Sequence, residues 1–123
     1  MYRLDLQTLN WDQVGTRAAP DQPDSLPACI DEHTACLDGG NKVIVFGGFN
    51  DGERVNLIRQ FDLELHQWRI IAPANQSAPK PRARAGHAAV IHENCLYVFG
   101  GKDDENAKLN DLWKFDMASL TWT

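Results

Sequence analysis

A single signature recurs along this chain: Phe-Gly-Gly, then Phe-Asp, then a Trp six residues after the Asp. The first full copy is Phe46-Gly47-Gly48 with Phe61-Asp62 and Trp68. The second is Phe99-Gly100-Gly101 with Phe115-Asp116 and Trp122, about 54 residues further on. A partial copy opens the chain as Leu4-Asp5 and Trp11. Three in-phase copies in 123 residues dictate a repeat architecture. They also assign most of the conspicuous residues to the repeat unit rather than to a private active site.

The copies align as four short segments per repeat. In the last copy these are Gly86–His92, Cys95–Phe99, Leu109–Asp116 and Leu120–Thr123, with a tight turn at Glu93-Asn94 and a polar loop from Lys102 to Lys108. The middle copy runs His33–Leu37, Lys42–Phe46, Leu57–Asp62 and Gln67–Ile71, with a turn at Asp38-Gly39-Gly40-Asn41 and a loop from Asn50 to Arg54. The first copy holds only Tyr2–Leu6 and Asn10–Val14. Short length, β-branched and aromatic enrichment and Gly/Asn/Asp punctuation make these strands. No segment sustains a helical period, so the fold class is all-β, with ten strands expected. Val43-Ile44-Val45-Phe46 and Leu96-Tyr97-Val98-Phe99 are apolar at every position. Such strands are covered on both faces, as in four-stranded antiparallel sheets stacked around an axis.

The recurring residue types have physical roles. A Gly pair closing a buried strand admits positive φ and removes two side chains where space is tight. The expected occupants of that space are Phe61 and Trp68, or Phe115 and Trp122. Asp before the hairpin can accept hydrogen bonds from backbone N–H groups just ahead, favouring the turn.

Pro81-x-x-Arg84-x-Gly86-His87, Leu96-Tyr97-Val98-Phe99-Gly100-Gly101, Leu109-Asn110-Asp111-Leu112-Trp113 and Phe115-Asp116-x5-Trp122 together strongly resemble a kelch repeat. The middle copy matches in Pro27, His33, Gly47-Gly48, Asn56, Phe61-Asp62 and Trp68, and departs at Ile30 and Glu32. The resemblance implies blades of a kelch-type β-propeller, each a four-stranded antiparallel sheet. On that reading residues 1–16 are the outer half of one blade, and residues 27–72 and 81–123 are complete blades. The whole is a partial propeller of about two and a half blades. Kelch propellers usually close with six or seven, so the remaining blades are expected from a longer chain, or otherwise from self-association.

Composition narrows the function classes. At 43% hydrophobic and 24% charged residues the chain suits a globular domain. Its net charge of −5 argues against broad nucleic-acid or anionic-membrane binding. The longest uncharged apolar run, Val43–Phe49, is too short to cross a bilayer, and Met1–Asp5 lacks the apolar stretch of a signal peptide. Three cysteines, an odd and sparse number, read as free thiols in a reducing compartment, which places the chain in the cytoplasm.

Candidate chemistry is thin. Cys29, His33 and Cys36 could be spaced as metal ligands, but residues 33 and 36 of a strand point to opposite faces. His33 is matched by His87 where no Cys accompanies it, so it reads as a repeat histidine beside buried thiols, with no metal or other cofactor expected. His66 and His92 lie at turns or strand ends without partners, and no Ser sits in a nucleophile elbow. The Gly pairs match no phosphate-binding pattern. Asp51-Gly52-Glu53 and Asp103-Asp104-Glu105 lack the ligand alternation of a calcium loop. Trp68 and Trp122 recur in phase and read as core. Trp113, whose counterparts are Arg59 and Arg3, is free to cover an outer strand or to mark a contact surface.

Individuality therefore sits in the loops: Asn50–Arg54 and Lys102–Lys108, with the connections Gly15–Glu32 and Ala72–Ala85, all expected on one face. The partner-binding candidates are Arg82 and Arg84 for an acidic peptide, then Asp51, Glu53, Arg54, Asp103, Asp104, Glu105 and Trp113. In kelch proteins such a face docks partner proteins. The resemblance accordingly implies a non-catalytic interaction scaffold, serving a ubiquitin-ligase substrate adaptor, a trafficking effector or a cytoskeletal or ciliary assembly. The alternative is part of a kelch-fold metalloenzyme, of copper-radical oxidase or iron-dependent specifier type, whose site lies in other blades.

Overall fold

A computed structural model describes all residues, Met1–Thr123, and is built almost wholly of strands. β1 (Tyr2–Leu4) and β2 (Trp11–Gln13) form an isolated antiparallel hairpin. β3 (Arg17–Ala18), a 3-10 turn at Pro23–Ser25 and β4 (Ile30–Asp31) come from the long connection that follows. β5 (Thr34–Leu37), β6 (Lys42–Phe46), the short hairpin β7 (Phe49–Asn50) and β8 (Glu53–Arg54), β9 (Ile58–Asp62) and β10 (Gln67–Ile71) make up the middle copy. The last copy holds β11 (Ala88–His92), β12 (Cys95–Phe99), β13 (Leu112–Asp116) and β14 (Thr121–Trp122). No helix is long and apolar enough to cross a membrane.

The last sheet has the expected four-stranded order, β11-β12-β13-β14, with every neighbour antiparallel. The middle sheet runs β5-β6-β9-β10 in the same way, then gains β3 as a fifth, parallel edge strand on β10. The count is fourteen strands rather than ten. The additional ones, β3, β4, β7 and β8, lie in stretches that sequence patterning reads as loops. Their backbone groups find partners close at hand: Arg17 N–H donates to His66 O and Ala19 N–H to Trp68 O. Gln22 adds a two-way clamp on Ile70, its Nε2 donating to Ile70 O and its Oε1 accepting from Ile70 N–H. The outer edge of β10 is thereby paired rather than left open.

The Asp turn is the same in all three copies. Asp5, Asp62 and Asp116 each accept from the backbone N–H groups two and three residues ahead, at 2.8–2.9 Å. Four residues after each Asp the chain enters the left-handed region, at Leu9, His66 and Leu120 (φ 58°, 53° and 56°). This geometry sets the return strand, and in the two complete copies the Trp two residues later, Trp68 or Trp122, is buried. The backbone bonds, first to Thr8, Leu65 and Ser119, hold all three carboxyls below the usual aspartate range.

β6 is covered on both faces. Val45 packs with Phe61 and Trp68 on one side, while Ile44 and Phe46 on the other join Ile58, Leu96, Val98, Phe115 and Trp122 across the junction of the two sheets. Each fully buried side chain of this size contributes about 1.5–3 kcal/mol, so this junction dominates the stability of the pair. Trp68 and Trp122 are buried, as their recurrence implies, but Trp11 is 67% exposed.

The space beside the Gly pairs is not filled by the aromatics. A Cβ on Gly47 would lie 2.7 Å from His87 Cε1 and 2.8 Å from Arg84 O; one on Gly48 would strike Asp31 O. Backbone and histidine from the start of a repeat take that room, because the Gly pair ends its strand where the next segment crosses. The thiols also differ from expectation: Cys95 is buried and Cys36 half-buried, but Cys29 is exposed.

Candidate protein-docking face

β6 pairs with β9 so that Phe46 lies opposite Ile58, and β10 returns to place Ile71 beside Ile58. The loop after β6 and the connection after β10 therefore leave the sheet at one end, and the corresponding loop of the last sheet joins them there. Three polar contacts tie these segments together. Arg54 donates through Nη2 to Asn106 Oδ1 at 2.8 Å, Asn56 Nδ2 donates to Pro81 O at 2.9 Å, and Arg84 N–H donates to Val55 O at 3.2 Å.

The first loop is an ordered hairpin. Asp51 and Gly52 adopt φ of 55° and 87° between β7 and β8, as a two-residue Asp-Gly turn requires. That dipeptide is the sequence signal for a hairpin, and reading the stretch as a loop passed over it. Asp51 and Glu53 point into solvent. Arg54 stacks its guanidinium 4.6 Å from the Phe49 ring centre and makes no ion pair. In the second loop Asp103 is buried, accepting from Glu105 N–H and Ala107 N–H and pairing with Arg82 Nη1 at 3.1 Å. It is the anchor of its loop, while Asp104 and Glu105 are exposed. A shallow polar depression bounded by Phe49, Gly52, Glu53, Arg54 and Asp104 separates the two loops.

Two candidates are placed elsewhere. Arg84 is fully buried, and its guanidinium is committed to Asp111 (2.7 and 2.8 Å) and Gly100 O (2.9 Å). It offers nothing to an acidic peptide. Asp111 is held down to about 2, first by the hydrogen bond from Arg84. Trp113 is half-buried, donates through Nε1 to Asp111 Oδ2 at 2.7 Å and meets Trp122 edge-on at 6.3 Å. It covers an outer strand. Arg82, with a side chain 74% exposed, remains on the face.

The histidines follow the repeat. His87 is buried, with Nε2 2.9 Å from Thr34 Oγ1 of the neighbouring sheet and its ring against Phe46. Burial, then the nearby Arg84 charge, lowers it to about 4. His66 stacks on Phe61, and His92 is exposed beside Glu93. Cys29, His33 and Cys36 do not converge, and no three His, Cys, Asp or Glu side chains stand close enough to hold a metal ion. Patterning overlooked Arg59, which is 4% exposed and donates only to Asn50 Oδ1, with Nε unpaired. Desolvation lowers its proton affinity.

Comparison with known proteins matches this arrangement. The model of the KLHDC2/KLHL20/DRC7 Kelch-repeats domain aligns with residues 1–123. Kelch domain-containing protein 3 of Homo sapiens is 31% identical over 134 residues, covering 99% of this chain and 32% of the relative. Host cell factor 2 of Homo sapiens is 30% identical, covering 94% of this chain and 17% of the relative. Acyl-CoA-binding domain-containing protein 4 of Arabidopsis thaliana is 30% identical, covering 100% and 17%. The chain thus spans about a third or less of the length of these relatives. Its stacked four-stranded sheets, its Asp turns and its matched family model together make it a member of the kelch-repeat family.

Proposed function

We propose that this chain is a non-catalytic segment of a kelch propeller that docks a partner protein on its loop face. Residues 1–16, 27–72 and 81–123 act as one half-blade and two full blades of a single propeller domain. The observation that carries the reading is the division of labour among the side chains. The repeat residues are spent on blade geometry and core, whereas Asp51, Glu53, Asp104 and Glu105 stand exposed on two loops fixed to each other through Arg54 and Asn106. Partner recognition usually resides in such rigidly mounted loops. With Arg84 enclosed and Arg82 engaged by Asp103, the face is acidic at its rim, and a basic segment suits it better than an acidic one. The names of the relatives, kelch domain-containing protein 3 and host cell factor 2, fit a scaffold rather than an enzyme.

The test compares affinity capture by the natural chain and by the variant Asp51→Lys/Glu53→Lys/Asp104→Lys/Glu105→Lys. The expected result is loss of specific partners at unchanged melting temperature. An identical set of captured proteins would sink the reading.

A further inference from the structure

Glu32 stands where the last repeat has a glycine. Eight residues other than glycine adopt positive φ. Leu9, His66 and Leu120 recur in phase at one turn, and Asp51, Glu93, Asn94 and Asn106 lie in tight turns. Glu32 (φ 48°) belongs to neither group: it joins β4 to β5, and its counterpart is Gly86 (φ 63°). That backbone sets Glu32 O to accept from Gly86 N–H at 3.0 Å. Glycine adopts it freely, whereas a residue with a Cβ is strained there.

Nothing inside the chain offsets this strain. Glu32 is exposed, and its carboxylate takes part in none of the five ion pairs. Arg84, two residues before Gly86, is enclosed and committed to Asp111 and Gly100 O. Backbone strain that packing does not require points to a functional role for the side chain.

The position of that side chain is informative. β5 and β11 are the edges at which the two sheets close on each other: Thr34 Oγ1 lies 2.9 Å from His87 Nε2, and Cys36 Sγ lies 3.6 Å from Ala89 O. Glu32 and Gly86 each precede one of these strands by two residues, at the loop end. A Cβ on Gly86 would meet only Glu32 Oε2, at 3.4 Å, so the carboxylate borders open space above the Gly86 peptide. β4, which leads into Glu32, pairs with the β7–β8 hairpin, and Cys29 O accepts from Asp51 N–H at 2.9 Å. Glu32 is thus continuous with the docking face.

We propose that Glu32 is a specificity-determining residue of the loop face, receiving one arginine side chain of a bound basic segment above Gly86. The proposal rests on reading the loop end as a docking face, and it names the group recognised there. A carboxylate takes a guanidinium through two parallel N–H···O bonds, and the planar group lies flat over a peptide that carries no Cβ. An ammonium makes only a point contact and is held less well.

The test titrates the intact chain with an acetylated, amidated heptapeptide, Arg-Gly-Ser-Gly-Lys-Ser-Lys, and with versions carrying neutral citrulline or lysine in place of arginine. Binding is read from backbone amide shifts, with Gly86 as the local reporter. The citrulline peptide should bind about 10-fold more weakly, the worth of one charge-assisted hydrogen bond. The lysine peptide should fall between the two, and the Gly86 amide should shift most with arginine. Glu32→Gln should bind the arginine and citrulline peptides alike. Glu32→Gly should do the same while melting at least ~3 °C higher, because the strain is relieved. Equal binding of the two peptides to the natural chain, including none by either, would overturn the proposal. So would an arginine preference that survives Glu32→Gln, or a Glu32→Gly chain less stable than its parent, which would make Glu32 a structural residue. Asp51→Lys/Glu53→Lys should weaken both peptides and leave their ratio unchanged, so the docking face and the Glu32 contact fail separately.

Discussion

Arg84 and Asp111 meet in a two-pronged ion pair, at 2.7 and 2.8 Å, in which the guanidinium is fully enclosed while the carboxylate remains partly open. The pair joins the segment entering the last blade to the strand leaving its loop, and Asp111 also holds Trp113 in place. Removing the carboxylate leaves a buried cation uncompensated, which typically costs about 3–5 kcal/mol. Asp111→Ala should destabilise the chain by roughly 3 kcal/mol in urea unfolding. Asp104→Ala, on the exposed rim of the same face, should stay within about 0.5 kcal/mol.

Gly48 separates close approach from backbone conformation. It shares φ of +87° with Gly52, but a Cβ would strike Asp31 O at Gly48 and meets nothing at Gly52. Gly52→Ala should therefore cost about 1–2 kcal/mol, the usual penalty for left-handed backbone. Gly48→Ala should exceed it by about 2 kcal/mol or more, because a backbone carbonyl must move. Equal losses in thermal unfolding would remove the packing argument.

Arg59 is a buried cation with no carboxylate and an unpaired Nε. Replacing even a paired buried ionic group by apolar side chains of similar volume is often neutral or stabilising by about 1–4 kcal/mol, and Arg59 has no carboxylate to offset its desolvation. Arg59→Met should raise the melting temperature or leave it unchanged, and a clear loss of stability would show that Asn50 compensates the charge.

Acid sensitivity should begin with His87. Its folded value of about 4 lies below the 6.5 of an unperturbed histidine, so the unfolded chain takes up a proton first as pH falls. The stability from burying the neutral ring is complete above about pH 6.5 and is lost progressively down to about pH 4. Asp111, with a folded value of about 2, adds a second loss between about pH 4 and pH 2. His87→Phe should flatten the first window and leave the second; an unchanged profile would place the proton uptake elsewhere.

The blade was legible in the sequence because its determinants are local and repeated. Phe61, Asp62 and Trp68 recur in phase with Phe115, Asp116 and Trp122, and each does the same job. The fifth strand was not legible, since Arg17-Ala18 has no strand pattern and owes its place to the open edge of β10. Of the docking candidates, Glu53 and Arg54 lie on β8 and Trp113 on β13 rather than in loops, and burial was not legible either. Asp103 and Arg84 are charged residues in polar stretches, and only their tertiary partners, Ala107 N–H and Asp111, draw them inside. Arg59 was invisible for the opposite reason: Trp113 stands at its place in the last repeat, and the matching Arg3 lies exposed, so the repeat gives no sign of a buried cation there.

The central claim is that partners meet the loop end of these blades. A photo-reactive amino acid placed at Asp51 or Asp104 in the intact chain, and at Leu65 on the opposite turn end as a control, tests it directly. The account predicts the same protein adduct from Asp51 and Asp104 and none from Leu65. An adduct at Leu65 with none at either loop position would contradict it.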